Sequence, residues 1–298
     1  MKITMLYRGP LSSCNYSCVY CPFAKHRETA REHAEDAAAL IRFVNWVTER
    51  TEHRLSIFFT PWGEALNRKR YQNALIRLTN IRHVDKVAIQ TNLSCRLDWL
   101  DHCNKERLGL WITFHPSQIT RRRFVAKCAE LIRRDVRFSV GVVGLPEYRS
   151  EIELLRNELP PDIYLWINAY KDVCNYYRKE DMQLYKRVDP LFPINNHHHS
   201  SRGELCRCGQ SVISVNGDGT IRRCHFIEQP IGNIYQPGFE NCLRERRCPN
   251  LTCGCHIGYV HLDKLKLYEI FGDGVLERIP TDPHWQEKAE SIVAAIDQ

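Results

Sequence analysis

The stretch CNYSCVYC, residues 14–21, carries three cysteines in one short loop directly after the apolar run ITMLY at residues 3–7. Cys14, Cys18 and Cys21 have three and then two residues between them. A structural metal site usually has four protein ligands, and this loop offers three. Three thiolates can hold three corners of a [4Fe–4S] cube and leave one iron open to a substrate or cofactor. The loop can therefore hold a cluster whose fourth ligand comes from outside the protein.

Composition indicates a cytoplasmic protein with a substantial core. The chain has 298 residues, 43% of them hydrophobic. Residues 1–10 lack the apolar stretch of a signal peptide, and no window is apolar for the roughly eighteen residues of a membrane span. In a reducing compartment the fourteen cysteines are not expected to form disulfides. Three lie within 14–21 and seven within 206–255, and such clustering is typical of metal ligands.

The formal net charge is +7, with basic runs at residues 121–127 and 244–247. A nucleic-acid surface would agree with this charge. However, the sequence has no helix-turn-helix, RNP or KH signature. Solvated helix faces, together with the negative charge of bound thiolates, account for the basic residues better, so a nucleic-acid partner is not expected.

Short apolar runs alternate with longer helical patterns from residue 1 to about 170. Helices are predicted at 35–50, 120–134 and 171–187. Most of the apolar runs are continuous, as in parallel strands covered on both faces. Six β-then-α units predict an α/β fold, a partial (β/α)6 TIM-like barrel with its chemistry at the carboxyl ends of the strands. The predicted strands are 3–7, 55–60, 86–91, 110–114, 137–143 and 163–167.

The remainder of the chain predicts a second, smaller part. Residues 1–188 form the predicted core domain, and 189–204, which fit neither period, form a linker that includes three consecutive histidines. A small cysteine-rich α+β module follows at 205–298. It contains a hairpin signal at 212–224, where NGDG separates two β-prone runs, and a terminal helical pattern at 282–297.

The cysteine loop resembles the CxxxCxφC pattern of the radical S-adenosylmethionine (SAM) superfamily, with Tyr20 at the aromatic position. This resemblance implies that Cys14, Cys18 and Cys21 bind a catalytic [4Fe–4S] cluster and that SAM fills its fourth position. The cluster would cleave SAM reductively to a 5′-deoxyadenosyl radical, which abstracts hydrogen from the substrate. A zinc knuckle would need a fourth ligand close by, and only His26 is available.

Other positions resemble superfamily motifs that bind SAM. Trp62-Gly63-Glu64 follows the second predicted strand where the family has GGE, and the carboxylate of Glu64 would accept from the SAM ammonium. An acid at a helix N-terminus is the alternative for Glu64. Asn92 lies in QTNLSC, which is similar to the family's strand-three TNG. Weaker candidates at later strand ends, for SAM or substrate, are Thr113, His115, Ser117, Gly144 and Asn168.

The later cysteines resemble the SPASM or twitch extension of radical SAM enzymes, which carries auxiliary iron–sulfur clusters. The full spacing CxxCxxxxxC is absent, so the resemblance implies one auxiliary [4Fe–4S] cluster rather than two. A structural zinc ribbon would use the same thiolates. The favoured ligands are Cys224, Cys253, one of Cys206 and Cys208, and one of Cys248 and Cys255, while Cys242 is the seventh cysteine of the group.

The resemblance thus implies a radical SAM enzyme that modifies a peptide or protein side chain, as a maturase does. It also implies an electron donor, either a reductase or a flavodoxin or ferredoxin. Enzymes that act on RNA, a nucleotide or a small metabolite are the alternative within the superfamily. Outside it, the alternative is a non-catalytic zinc or iron–sulfur protein that binds partners or carries electrons.

Overall fold

Strands and helices alternate along this computed structural model, which describes residues 1–23 and 26–296. The strands are β1 (Lys2–Arg8), β2 (Arg54–Phe59), β3 (Val84–Thr91), β4 (Leu108–Phe114), β5 (Arg137–Val143), β6 (Leu165–Asn168), β7 (His199–Ser200), β8 (Val212–Asn216), β9 (Thr220–Arg222), β10 (Pro230–Asn233) and β11 (Thr252–Cys253). The α-helices are α1 (Ala30–Glu49), α2 (Lys69–Thr79), α3 (Arg121–Arg133), α4 (Arg149–Glu158), α5 (Lys179–Val188), α6 (Phe192–Asn195), α7 (His256–Tyr259), α8 (Tyr268–Phe271) and α9 (Trp285–Ile296).

The chain divides into two compact units, and each is made of separate segments. The first unit comprises residues 1–110, 131–137 and 207–246, and the second comprises 111–130, 138–206 and 247–298. Within the first unit the strand order is β10-β9-β8-β1-β2-β3. The pairs β8–β1, β1–β2 and β2–β3 are parallel, whereas β8–β9 and β9–β10 are antiparallel. Strand β2 is buried from Leu55 to Phe59, as expected for a parallel strand covered on both faces.

The second unit contains the later part of the parallel series. Strand β4 begins in the first unit and ends in the second, where the order β4-β5-β6 continues. Strands β5 and β6 pair in parallel from Val140↔Leu165 to Val143↔Asn168. The short antiparallel pair β7–β11 and helices α3 to α9 complete this unit. The architecture is mixed α/β with largely parallel strands, which is consistent with the predicted partial barrel.

The six predicted strands and the hairpin are confirmed, but a separate cysteine-rich module is not. Strand β8 pairs in parallel with β1, from Thr4↔Val212 to Arg8↔Asn216, so the hairpin extends the first unit's sheet. The predicted helix 171–187 begins only at Lys179, because Asn175 has a left-handed φ of 52° that a helix does not allow. The terminal helix is confirmed as α9, and residue 297 lies outside the described residues.

The predicted linker 189–204 is largely packed rather than solvated. It contains α6 and β7, and Leu191, Phe192 and Ile194 are buried. Asp189 is also fully buried, and it accepts hydrogen bonds from the Tyr164 hydroxyl at 2.7 Å and the Ile167 amide at 2.9 Å. Apolar anchors therefore pull this segment into the second unit. Among the described residues, no helix is both long and apolar enough to cross a membrane.

A buried aspartate ties the start of the cysteine loop to the helices of the first unit. Asp36 of α1 has no exposed surface, and its Oδ1 accepts from the Leu11 amide at 3.2 Å and the Tyr71 hydroxyl at 2.7 Å. Its Oδ2 accepts from the Arg70 guanidinium at 2.8 and 2.5 Å. Because Arg70 and Tyr71 belong to α2, this one carboxylate connects α1, α2 and the chain three residues before Cys14.

Asp36→Ala should therefore reduce the free energy of unfolding by about 3 kcal/mol, since it leaves the buried Tyr71 hydroxyl without its acceptor and the half-buried Arg70 guanidinium without its ion-pair partner. Urea unfolding of both proteins measures the difference. Glu35→Ala is the matched control on the same helix. Glu35 pairs with Arg31 on the surface, and its loss should cost no more than about 0.5 kcal/mol. Equal losses for the two variants would contradict the assignment.

Candidate active site

The three-cysteine loop begins six residues after the end of β1. Cys18 is buried, whereas Cys14 and Cys21 are half-buried. The Cys21 amide donates to the Cys18 carbonyl at 3.2 Å, and the Tyr16 amide donates to the Cys14 sulfur at 3.4 Å. Tyr20, at the aromatic position of the motif, is half-buried. The loop thus lies at the carboxyl end of β1, where a parallel α/β fold places its site.

A carboxylate outside the sequence motif anchors the residues just before Cys14. Glu28 accepts from the Ser12 amide at 2.7 Å and the Ser13 hydroxyl at 2.6 Å. Arg68 donates to Ser13 at 2.9 Å and forms an ion pair with Glu28 at 3.3 Å. Burial raises the pKa of Glu28, but the hydrogen bonds from Ser13 and Ser12 and the charges of His33 and Arg68 outweigh burial, so that the pKa is lowered. Glu28 therefore holds the loop as an anion.

The thiol of Cys14 is not stabilised as a thiolate by its surroundings. Burial raises its pKa; the hydrogen bond from Tyr16 opposes this, and the charges of Glu64, Cys18 and Cys21 raise it further. Deprotonating three neighbouring thiols beside a carboxylate is costly without a cation. Bound iron would supply that cation, and its binding would release the thiol protons. The donor set thus fits a positively charged metal group better than free thiolates.

Glu64 lies shortly after the end of β2, and its side chain is buried. Its Oε1 accepts from the Thr91 hydroxyl at 2.9 Å and the Leu66 amide at 3.0 Å, and its Oε2 accepts from the Asn92 amide at 2.5 Å. Burial raises the pKa of this carboxyl to about 7, although these three hydrogen bonds lower it. No cationic side chain within the described ranges 1–23 and 26–296 pairs with Glu64. Glu64 also serves as a helix N-terminal acid, because its side chain accepts from the Leu66 amide at the start of a short 3-10 helix.

Asn92 connects the Glu64 carboxylate with the cysteine loop. Its side-chain amide donates to the Cys14 sulfur at 3.8 Å and to Asn15 Oδ1 at 3.1 Å. Its own Oδ1 accepts from the Ser94 amide at 3.0 Å. The backbone between them adopts a left-handed φ of 58° at Leu93. The structure therefore brings together three of the motifs that the sequence singled out: the cysteine loop, Glu64 and Asn92.

These residues fit the cofactor that the sequence motif implies. An ionised carboxylate has about four acceptor positions, and three are filled by Thr91, Leu66 and Asn92. The remaining position on Oε2 can accept from an ammonium, which would also supply the counter-charge that buried Glu64 lacks. Cys14, Cys18 and Cys21 would hold the cluster beside it. A ligand with a positive amino group next to three thiolates satisfies both requirements.

Gly63 leaves no room for a side chain between Glu64 and the loop. A Cβ at this position would lie 1.8 Å from the carbonyl oxygen of Ser13, and that same oxygen accepts from the Glu64 amide at 3.1 Å. Backbone approaches backbone here, so no rotamer change can relieve the contact. The glycine is therefore required for the register between Glu64 and the cysteine loop.

We expect Gly63→Ala to lower the free energy of unfolding by about 3 kcal/mol, at the upper end of overpacking costs, because backbone must move. Urea unfolding of the variant and the wild type measures the difference in free energy, provided that the two m-values agree. Gly9→Ala is the control, since its Cβ would meet only side-chain atoms, none closer than 3.1 Å. A smaller loss for Gly63→Ala than for Gly9→Ala would refute the close approach.

The remaining predicted SAM-site residues belong to the second unit. Thr113 and His115 are half-buried at the end of β4, and Ser117 is exposed. Burial lowers the pKa of His115 to about 4, so its ring is neutral at neutral pH. The Gly144 amide donates to the Asn168 carbonyl at 2.9 Å, which brings these two residues together at the carboxyl ends of β5 and β6.

The later cysteines are divided between the units. Cys208, Cys224 and Cys242 lie in the first unit, where the Arg223 side chain donates to the Cys208 carbonyl at 3.3 Å. That contact places the end of the hairpin next to Cys208. Cys206, Cys248, Cys253 and Cys255 lie in the second. The favoured ligand set draws on both units, so the membership of an auxiliary cluster stays a prediction.

Lys171 is a residue of the second unit that no sequence pattern indicated. Its ammonium donates to the Gly254 carbonyl and to the Asn195 carbonyl, the latter at 2.5 Å. Burial lowers the pKa of Lys171 to about 8, while the charges of Cys255 and Cys253 raise it. A cation is thus fixed against the turn between two predicted ligands, where it can stabilise thiolates.

One further group of possible ligands lies at the opposite, amino end of β2. Among the described residues, only Glu52, His53 and Glu240 place three ligand atoms within 4.8 Å of one another. His53 Nε2 lies 2.9 Å from Glu240 and 3.6 Å from Glu52, which is the geometry of an ion pair. A [4Fe–4S] cluster does not require such convergence, because its thiolates bind different irons.

The architecture is similar to that of solved structures of radical SAM enzymes. The structure is similar to anSMEcpe with bound AdoMet, at 14% identity and a TM-score of 0.55, over 98% of this chain and 96% of that one. It is similar to anSMEcpe with bound AdoMet and Kp18Cys peptide, at 12% identity and a TM-score of 0.54 over the same shares. anSME is an anaerobic sulfatase-maturating radical SAM enzyme with a SPASM domain. No family model and no curated protein sequence matches. At these identities the likeness shows the fold.

Proposed function

We propose that this protein is a radical SAM enzyme. Cys14, Cys18 and Cys21 would hold a [4Fe–4S] cluster, and Glu64 would accept from the amino group of SAM bound at its open iron. With reductant, the bound cluster and SAM supply a 5′-deoxyadenosyl radical for hydrogen abstraction from the substrate. The observation that carries the proposal is the buried carboxylate of Glu64, which pairs with no cationic side chain of the described residues. Asn92 links this carboxylate directly to Cys14.

The chain's own residues would then bind and orient the cofactor. The Glu28–Arg68 pair fixes the start of the loop, and Thr91 and Asn92 fix Glu64, so the ligands need little reorganisation on binding. Thr113, His115, Ser117, Gly144 and Asn168 are proposed to contact SAM or substrate from the second unit.

The substrate proposed is a peptide or protein side chain. One structural neighbour, anSMEcpe, was solved with a bound peptide, which gives this choice its support. An auxiliary cluster on the later cysteines and an electron donor such as a flavodoxin or ferredoxin are also proposed, on the sequence resemblance. A cytoplasmic location is proposed on the composition of the chain.

Anaerobic reconstitution with iron and sulfide, followed by a SAM-cleavage assay on the same sample, tests the function. About eight irons per chain and 5′-deoxyadenosine that forms only with reductant are expected. Stoichiometric zinc without SAM cleavage would instead identify a metal-stabilised binding protein.

A further inference from the structure

A cavity of about 400 Å³ opens in the first unit at the carboxyl ends of β1 and β8. Its polar lining includes Arg8, Asp218, Arg222 and His225, and Trp62 forms part of its wall. Ligand sites in parallel α/β folds are found at this end of the strands. The cavity is separate from the residues assigned above to the cluster and to the SAM amino group.

Trp62 forms the shared wall between this cavity and the cysteine loop. Its ring contacts Phe23, two residues beyond Cys21, with centroids 4.4 Å apart. The Arg8 guanidinium lies 3.9 Å from the centroid of the Trp62 ring, as in a cation–π pair. Since Trp62 is followed directly by Gly63 and Glu64, a molecule in the cavity would lie next to the proposed cofactor site.

The two arginines of the cavity differ in how far the protein satisfies their hydrogen-bond donors. Arg8 Nε donates to the Thr60 carbonyl at 3.0 Å, which together with Trp62 fixes its plane. Arg222, on β9, has a buried Nε that makes no hydrogen bond to any described residue. A buried donor without an acceptor is costly, so a ligand acceptor at this guanidinium would be favourable.

The rest of the polar wall is already satisfied. His225 Nε2 lies 2.8 Å from the Thr60 hydroxyl and its Nδ1 lies 2.6 Å from the Ser214 hydroxyl. Asp218 Oδ1 accepts from the Thr220 amide at 2.9 Å. The cavity thus has two guanidinium groups against one carboxylate that already serves the turn, and guanidinium groups match the bidentate geometry of carboxylate and phosphate.

We propose that this cavity binds an oxyanion of the substrate, a carboxylate or a phosphate, through Arg8 and Arg222. The inference rests on the proposed function for the identity of the molecule as a substrate. It deepens that function by assigning the substrate an acidic group next to the cysteine loop.

Isothermal titration of the reconstituted protein, under anaerobic conditions, tests the site with defined probes. The probes are inorganic phosphate, the blocked peptide N-acetyl-Ala-Glu-Ala-amide and its Gln counterpart, which differs by one carboxylate. Phosphate or the Glu peptide should bind saturably and the Gln peptide should not. Which of them binds identifies the source of the oxyanion. Arg222→Gln and Arg8→Gln should each weaken binding at least tenfold, with Arg222→Lys intermediate.

Arg31→Gln is the matched control, because it removes one positive charge from the surface of α1. An equal loss in this variant would show a general charge effect and overturn the proposal. So would the absence of saturable binding of every probe up to about 10 mM. A SAM affinity that falls tenfold in Arg222→Gln would assign the cavity to the cofactor's own carboxylate and also overturn it. Iron content and SAM cleavage in the wild type report separately on the proposed function.

Discussion

A variant with Cys14, Cys18 and Cys21 all replaced by alanine will lose about four irons per chain and all reductant-dependent formation of 5′-deoxyadenosine. The three sulfurs belong to one loop, and burial together with the charges of Glu64, Cys18 and Cys21 raises the pKa of the Cys14 thiol, so we expect the thiolates to depend on the iron that they bind. With one auxiliary cluster, iron content should fall from about eight to about four. Iron and sulfide analysis, run with product chromatography on the same sample, measures both quantities.

Cys174→Ala provides the control for thiol removal, since Cys174 is an exposed cysteine of the second unit. It should retain the full iron content. If the triple variant kept all of its iron, the cluster would have to be held by the later cysteines alone, and the assignment of the loop would be wrong. If it lost all iron, the auxiliary cluster would not exist as an independent group.

The parallel strands were predictable because most of them are continuous apolar runs that alternate with helical patterns. Strand β5 was predicted at its observed bounds, 137–143. The pairing of β8 with β1 was not predictable. It joins segments about 200 residues apart, and nothing in either segment indicates which strand will pair with it at the edge of the sheet. The separate module was therefore expected where the chain in fact extends a sheet.

The candidate site shows the same division. The cysteine spacing and Glu64 were found because their chemistry requires a fixed local pattern. Glu28 and Asp36, which hold the loop in place, belong to no motif: Glu28 lies just before α1, and Asp36 lies on it. Their role comes from burial against Ser13 and Leu11, and burial of a polar residue depends on tertiary packing rather than on spacing.

Glu64→Gln is expected to weaken SAM binding by 10- to 100-fold, since it replaces a charge-assisted hydrogen bond of about 1.5–3 kcal/mol by a neutral one. The amide also presents a donor where the ammonium needs an acceptor. Equilibrium binding of SAM to the reconstituted protein measures the change, with Glu35→Gln as the surface control. Unaltered SAM affinity at full iron content would exclude Glu64 from the cofactor site.

The same carboxyl gives a pH dependence whose sign follows from its burial. Burial raises the pKa of Glu64 from 4.5 to about 7, so between these values the folded protein keeps a proton that the unfolded chain has released. The free energy of unfolding should therefore fall as pH rises through this window, by up to about 3 kcal/mol, and Glu64→Gln should not show this component. Urea unfolding of both proteins without SAM, at pH 5 and pH 7.5, measures it.

An ammonium next to Glu64 favours the ionised form, so SAM should bind the wild type more tightly at pH 7.5 than at pH 6. An identical pH profile in Glu64→Gln would mean that Glu64 is not the group that SAM contacts.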